Sequence, residues 1–248
     1  MRAIILAAGR GGRMRPYTED RPKCLVELRG RSLLDRQVSA LRGGGVDEIG
    51  VVTGWRGEAF AGTGLRTFEN PLWARSTMVE SLAAAAEWLA EEPVIVSYGD
   101  IVFSAATVRD LVRSTAGIAV AYDTEWESVW RQRFEEPLSD AETFQVDADG
   151  LLTDIGSRPD SLAQVRGQYM GLVRLTPTAW EVLRETRAAS EENAALDMTG
   201  LLGLVTRTGR LRIAAVPNTG PWWEFDSPSD VDAGLPVLDR LDAEQEGG

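Results

Sequence analysis

The sequence predicts an α/β fold built around a mostly parallel sheet, and three stretches carry that prediction. Ala3-Ile-Ile-Leu-Ala-Ala8 is a short apolar run that feeds a glycine-rich loop, the pattern of a buried strand. Ser32 to Leu41 places apolar residues at 33, 34, 38 and 41, a helical spacing, and Glu48-Ile-Gly-Val-Val-Thr53 returns to strand character. Strand, helix and strand make a βαβ unit, which implies parallel pairing. Pro93-Val-Ile-Val-Ser-Tyr98 has almost no polar face, as a strand in the middle of a parallel sheet requires.

The remaining elements follow in order. Gly43-Gly44-Gly45 stops the first helix, and Leu65 to Phe68 reads as a short third strand. Asn70-Pro71 breaks the chain, and Thr77-Met-Val-Glu80 matches a capping box opening a helix to about Ala90, with Met78, Leu82, Ala85 and Leu89 as its apolar stripe. Gly99-Asp100 follows the central strand. Thr107 to Ser114 is helical and Ile118 to Tyr122 a strand. Residues 123 to 137 are acidic and aromatic, and Trp126 and Trp130, four apart, share one helical face. Phe144–Val146, the turn Asp147-Ala-Asp-Gly150 and Leu151–Ile155 form a hairpin. Tyr169–Leu175 is a strand, Pro177 to about Ala189 and Met198–Thr206 are helices, and Arg212–Val216 is a strand. Ser227-Pro228 sets up a last helix with Ser227 or Ser229 as cap, and the polar tail Asp242–Gly248 is expected to fray.

A chain of 248 residues with 44% hydrophobic content can bury a real core, and no linker, repeat or low-complexity block divides it, so one domain over 1–248 is expected. The net charge of −12 argues against nucleic acid or an anionic membrane as partner, because a negative field repels polyanions. The first apolar run is too short for a signal-peptide core or a membrane span, so a cytoplasmic location is expected. Histidine is absent, which removes Ser-His-Asp and Cys-His schemes, His-ligated zinc and the usual near-neutral base. Chemistry must then rest on carboxylates, Lys, Arg, backbone dipoles and bound cations. Cys24 is the single cysteine, and it reads as a packing residue, since a thiolate nucleophile would lack a base partner.

Against the acidic whole, the stretch from Leu6 to Leu25 is a local exception. Glycines at 9, 11 and 12 are followed by cations at 10, 13, 15, 21 and 23, so bare backbone N–H groups and positive charge meet in one loop that suits a phosphate chain. Lys and Arg together number 26, and Lys23 is the only lysine. A compact ammonium makes a point contact on a crowded phosphate, which a planar guanidinium does not. The loop is not a dinucleotide fingerprint, because Met14 stands where the third glycine belongs, and no Gly-Lys-Ser/Thr triplet supplies a Walker A loop. Ligands of open parallel sheets bind beyond the carboxyl ends of the strands, so the loop and Asp100 are expected to lie together, with Asp226 completing the group. Two carboxylates facing a phosphate loop suit Mg²⁺, which takes few protein ligands.

Leu6-x-x-Gly9-x-Gly11-x-Arg13-x-x-Pro16-x-Thr18-x-x-x-Pro22-Lys23-x-Leu25 resembles the signature of the nucleotidyltransferases that join an NTP to a phosphate-bearing small molecule and release pyrophosphate. Asn70 ahead of a helix bearing Ser81-Leu82, Gly99-Asp100, Asp123-Thr-Glu-Trp126 and Glu224-Phe-Asp226 look most like the phosphocholine and phosphonate cytidylyltransferases. The sequence departs from that pattern at Thr77-Met78, which hold no asparagine near the expected base position. The resemblance implies a three-layer Rossmann-like nucleotidyltransferase fold with a mixed, mostly parallel central sheet and a small substrate-binding subregion at about 123–170.

It also implies roles. Leu6, Ala7, Ala8, Gly9, Arg10, Gly11, Gly12 and Arg13, with Thr77, Ser81 and Gly99, would bind the nucleotide, and Lys23, Arg13 and Asp100 would be catalytic. Asp100 and Asp226 would hold Mg²⁺, and Lys23, Asp123, Trp126, Tyr169 and Glu224 would bind the acceptor. The implied partners are CTP and a small phosphate- or phosphonate-bearing acceptor, and a homodimer is compatible with the sequence. A choline head would call for an aromatic cage from Tyr122, Trp126, Trp130, Trp222 and Trp223 with Asp123 or Glu125. A hydroxylated phosphonate would use Arg131, Arg133 and Tyr169, and the arginine-rich composition of a GC-rich genome leans that way. A sugar-1-phosphate nucleotidylyltransferase using UTP, dTTP or GTP is the near alternative. A catalytically silent nucleotide-binding regulatory module is the alternative of another class, opposed by intact Lys23, Asp100 and Asp226.

Overall fold

The computed structural model describes residues 1–246. Seven strands form the central sheet, in the spatial order Ile213–Asn218, Ile118–Asp123, Gln168–Leu175, Val94–Tyr98, Arg2–Leu6, Glu48–Thr53 and Arg66–Glu69. All neighbours pair parallel except Gln168–Leu175, which is antiparallel to both of its own. The sheet is therefore mixed and mostly parallel, as expected. Successive residues of a strand point to opposite faces, and Arg2–Leu6 shows it: Ile4 and Leu6 enter one apolar core, Ala3 and Ile5 the other. Helices Met78–Ala83, Ala86–Glu91, Pro177–Ala188 and Met198–Arg207 cover the first face, and Leu33–Gly43, Ala105–Arg113 and Trp126–Arg133 the second. A third cluster joins Met14, Val26 and Leu28 near the glycine loop to Trp223, Phe225 and the C-terminal helix Ser229–Glu246.

Local chemistry explains several boundaries and corrects others. Ser32 forms the true capping box, its Oγ accepting from Asp35 N at 2.9 Å while Ser32 N donates back to Asp35 Oδ2 at 3.4 Å. At Thr77 only half of the expected box exists. Thr77 Oγ1 accepts from Glu80 N, but the Glu80 carboxylate turns to Arg187 at 2.9 Å instead. The helix expected to run unbroken to about Ala90 is interrupted at Ala84-Ala85, where N–H groups reach back three residues, Ala84 to Ser81 and Ala85 to Leu82.

Neither serine hydroxyl caps the last helix. Ser229 is its first residue, and the N–H groups of Asp230 and Val231 are taken by the carbonyls of Ser227 and Pro228. The expected frayed tail is helical to Glu246, because Asp242 accepts from Arg36 at 3.0 and 2.6 Å and from Arg31 at 2.9 Å. The end of that tail, residues 247–248, lies outside the described residues. Two three-residue strands escaped the sequence reading, Ile101–Phe103 and Trp222–Glu224, which pair antiparallel. No helix among the described residues is long and apolar enough to cross a membrane.

Candidate active site

The strand Arg2–Leu6 ends at the sheet's carboxyl edge, and the glycine loop leaves from there. Ala8 O accepts from Trp55 N at 2.9 Å, which ties the loop to the end of the neighbouring strand. Two glycines are required by space. Gly11 has φ 64°, and a Cβ there would lie 3.1 Å from Lys23 Cβ and 3.2 Å from Lys23 Cε. A Cβ on Gly99 would lie 2.6 Å from Leu6 O, so the two strand ends can close together only with glycine at 99. Thr18 Oγ1 donates to Gly11 O at 2.7 Å and closes the loop around Lys23.

Lys23 sits in a short turn, Lys23–Leu25, started by Pro22. Its ammonium donates to Asp100 Oδ2 at 3.0 Å and to Asp226 Oδ1 at 2.9 Å, and Arg13 reaches Asp226 Oδ2 at 2.7 Å. Burial pulls the Lys23 pKa down, but Asp100 and Asp226 outweigh it, and the ammonium is held above its ordinary value. The small ladder missed in the sequence is what brings the two carboxylates together. Glu224 pairs with Ile101, and Phe225 N donates to Asp100 O at 2.9 Å, so Asp100 and Asp226 extend from adjacent ends of one hydrogen-bonded pair.

Asp100 Oδ1 is buried without a hydrogen-bond partner. An unpartnered carboxylate oxygen in such a place is costly unless something binds it. A magnesium ion fits this set, since it uses one or two carboxylates and completes its shell with phosphate oxygens and water. Among the described residues no cage of three or more metal-ligating side chains exists, so phosphate oxygens would have to supply further ligands.

A cavity of about 370 Å³ opens over the loop. Its wall includes Leu6, Ala7, Ala8, Gly9, Gly11, Gly12, Arg13, Ser81 and Gly99, as expected, along with Lys23, Asp100 and Asp226. Trp73, Ser76 and Met78 also line it and escaped the sequence reading. Buried Asn70 orders this side, donating to Ser76 Oγ at 2.8 Å and Ser81 Oγ at 2.9 Å. Two expected nucleotide contacts lie elsewhere. Arg10 points away, its guanidinium 5.6 Å over the Trp55 ring, and the hydroxyl of Thr77 caps its helix.

A second pocket of about 250 Å³ shares Arg13, Met78, Tyr98 and Asp226 with the first. Tyr169 and Glu224 line it as expected, joined by Trp130 and Trp222, which the sequence offered as cage candidates. Gln168, Met170 and Gly171 of the antiparallel strand line it too, with Asp140 and Glu142 from one loop and Asp197 and Thr199 from the start of the helix Met198–Arg207; of the acidic residues here, only Asp197, placed before an apolar helical run, gave any signal. The Tyr169 hydroxyl and the Trp130 and Trp222 indole N–H groups are buried without partners. Desolvation pushes the Glu142 carboxyl up. Desolvation, together with Asp100 and Asp226, raises Glu224 to about 7 against the pull of Arg133. Apart from Arg13, no cationic side chain lines this pocket.

Two residues expected at the acceptor are structural instead. Trp126 is 4% exposed in the core with its Nε1 donating to Val165 O at 3.1 Å, and Asp123 is buried with Oδ1 accepting from Glu125 N at 2.9 Å. Neither lines a cavity beside Lys23, because the helix beginning at Trp126 turns only Trp130 toward the pocket. Cys24 is the packing residue expected: it is 1% exposed, and burial pushes its thiol up to about 12. Iodoacetamide at about pH 8 should therefore leave the native protein unmodified and label one thiol in denaturant, read by intact mass; rapid native labelling would contradict this burial.

Residues 3–196 match the MobA-like NTP transferase domain. The chain belongs to this family. This MobA-like NTP transferase is 30% identical over 255 aligned positions to the CTP:phosphoglutamine cytidylyltransferase of Campylobacter jejuni, covering 94% of the chain and 98% of the relative. It is 36% identical to the choline-phosphate cytidylyltransferase of Streptococcus pneumoniae over 46% of the chain and 52% of the relative. Its fold matches the inositol-1-phosphate CTP transferase of T. maritima with a TM-score of 0.78 at 19% identity, over 97% of the chain and 95% of that structure. The three-layer nucleotidyltransferase fold is thereby shown, and the MobA-like transferase is an enzyme of the nucleotidyl-transferring class.

Proposed function

We propose that the chain moves CMP from CTP onto the phosphate or phosphonate of a small acceptor with a cationic head, releasing pyrophosphate. One observation carries this reading: Lys23, Asp100 and Asp226 stand where the glycine-loop cavity meets an acidic, aromatic pocket. The choice of CTP rests on the relatives named for its use.

The chain's own groups suffice for the positioning work. Ala8, Gly9, Gly11 and Gly12 line the cavity, where backbone N–H groups would suit a triphosphate, and Trp73 in the same wall supplies a ring for a base. Asp100 and Asp226 would hold Mg²⁺, which when bound supplies positive charge to the phosphate oxygens during transfer. With those carboxylates so engaged, Arg13 is available to the β and γ phosphates and Lys23 to the α phosphate and the incoming oxygen. The acceptor's anionic oxygen attacks the α phosphorus in line, the bond from that phosphorus to the bridging oxygen breaks, and pyrophosphate leaves. No general base is needed, because the attacking oxygen is already charged near neutral pH, in keeping with a chain that has no histidine.

The acceptor head follows from the second pocket. Carboxylates at 140, 142, 197 and 224 around two indoles suit an ammonium group, by charge and by cation–π attraction. The arginines that a hydroxylated phosphonate would need are spent elsewhere: Arg131 pairs with Glu127 on the surface, and Arg133 is buried between Glu224 and Asp230. Pyrophosphate release, measured with four NTPs against phosphocholine, an amino-alkylphosphonate, a hydroxy-alkylphosphonate and glucose 1-phosphate, tests this. CTP with one of the two cationic acceptors is the expected pair. Turnover with UTP or dTTP and the sugar phosphate, or none from folded protein, would overturn it.

The raised carboxyl of Glu142 gives a second check. A carboxyl whose folded pKa exceeds its unfolded value stays protonated while the unfolded chain ionises, so stability falls as pH rises from the unfolded pKa to the folded one. Glu142→Gln removes that loss. Its Tm should equal wild type at about pH 4 and exceed it at about pH 8, while KM for the acceptor rises and KM for CTP does not. A Tm difference independent of pH would mean that Glu142 titrates normally.

A further inference from the structure

We propose that Arg133 is a positioning residue that ties the wall of the acceptor pocket to the turn carrying Asp226. The inference rests on the reading of Asp100 and Asp226 as the metal-binding pair. Arg133 ends the helix Trp126–Arg133, and its side chain is only 1% exposed. Its fork is divided between two carboxylates: Nη1 donates to Glu224 Oε2 at 2.7 Å and Nε to Asp230 Oδ1 at 2.9 Å. The guanidinium also lies 5.2 Å from the centre of the Trp130 ring.

Asp230 turns its other oxygen the opposite way. Oδ2 accepts from Asp226 N at 3.0 Å, from Ser227 N at 2.7 Å and from Ser227 Oγ at 2.9 Å. One carboxylate therefore fixes the backbone from which the Asp226 side chain projects toward Lys23 and Arg13. Arg133 fixes that carboxylate in turn. Two further partners of Arg133, Trp130 and Glu224, belong to the acceptor wall, a third, Phe134, packs behind it, and Arg133 itself lines neither cavity.

Packing alone does not call for this arrangement. Burying an arginine and two carboxylates costs desolvation that an apolar cluster would avoid, so such a network is better explained by the geometry it imposes. The planar fork spans two elements at fixed angles, and a lysine, with one nitrogen, cannot satisfy Glu224 and Asp230 in the same way.

The test is the affinity of the non-reacting analogue α,β-methylene-CTP, measured by calorimetry with Mg²⁺ and with EDTA. It compares wild type, Arg133→Lys, Asp230→Asn and the double variant, each checked for folding by near-UV circular dichroism. Each single change should weaken binding with Mg²⁺ about tenfold, the usual cost of losing a group that orients a metal ligand, and leave binding in EDTA unchanged. The double variant should be no weaker than the singles, because both cut the same tie. Wild-type affinity with Mg²⁺ in Arg133→Lys, or an equal loss with and without the metal, would overturn the proposal alone. A wild-type protein whose affinity ignores Mg²⁺ would overturn the metal-pair reading, and this proposal with it.

Discussion

Replacing Lys23 by arginine should leave a folded protein that has lost most of its pyrophosphate release, a drop of about 10²–10³-fold, the loss usual for one preorganised charge at a transition state. The charge is retained, so the loss must come from shape. The Lys23 ammonium sits between Asp100 Oδ2 at 3.0 Å and Asp226 Oδ1 at 2.9 Å, and its stem packs so closely under Gly11 that a single added carbon there would touch it at 3.1 Å. A guanidinium is longer and planar and cannot occupy that position without moving the glycine loop or one carboxylate. Lys23→Ala should lose at least as much turnover. A thermal melt accompanies both assays, and Lys23→Arg retaining more than about a tenth of wild-type turnover would refute the point-contact role assigned to the only lysine.

Asp100→Asn should have the second large effect, and on a different observable. The substitution preserves size but removes the negative charge of a carboxylate whose Oδ1 is buried without a partner. Magnesium with CTP should raise the Tm of wild type, since a ligand bound only by the folded state stabilises it, and that increment should vanish in the variant. Turnover should fall about 100-fold or more, in line with the loss of a transition-state charge contact. Without metal the variant should be only modestly less stable, because Lys23 keeps Asp226 at 2.9 Å. An undiminished Tm increment in Asp100→Asn would remove Asp100 from the metal pair.

The fold was largely legible in the sequence because burial on a parallel sheet writes itself into short range. Val94–Tyr98 has apolar residues on both faces since helices cover both, and Leu34 and Leu41 repeat at helical spacing since one side of their helix meets the sheet. The glycine loop was legible for a similar reason. Gly11 answers a local constraint, a positive φ that glycine meets at least cost, whereas the need for glycine at 99 comes from Leu6 O, a contact made only in the folded sheet.

The second pocket was less legible in the sequence. Trp126 and Trp130 have the same local signal, yet one is anchored to Val165 O in the core and the other lines the pocket. Arg133, offered by the sequence as a contact for a phosphonate, is buried between two carboxylates that lie about a hundred residues away in sequence. Asp140 and Glu142 sit in one irregular loop outside any helix or strand, where no periodicity marks the residues that face a pocket.

By itself the sequence determined the α/β architecture, the glycine loop with its run of cations, the presence of a single lysine and the absence of histidine, all properties carried by composition and by neighbours along the chain. The tertiary structure decided which acidic and aromatic side chains line the second pocket. It also decided how Asp100 and Asp226 come to share one lysine, through the short pairing of Ile101–Phe103 with Trp222–Glu224. Those relations depend on contacts between residues far apart in the chain, which form only when the sheet edge and the C-terminal helix close around the glycine loop.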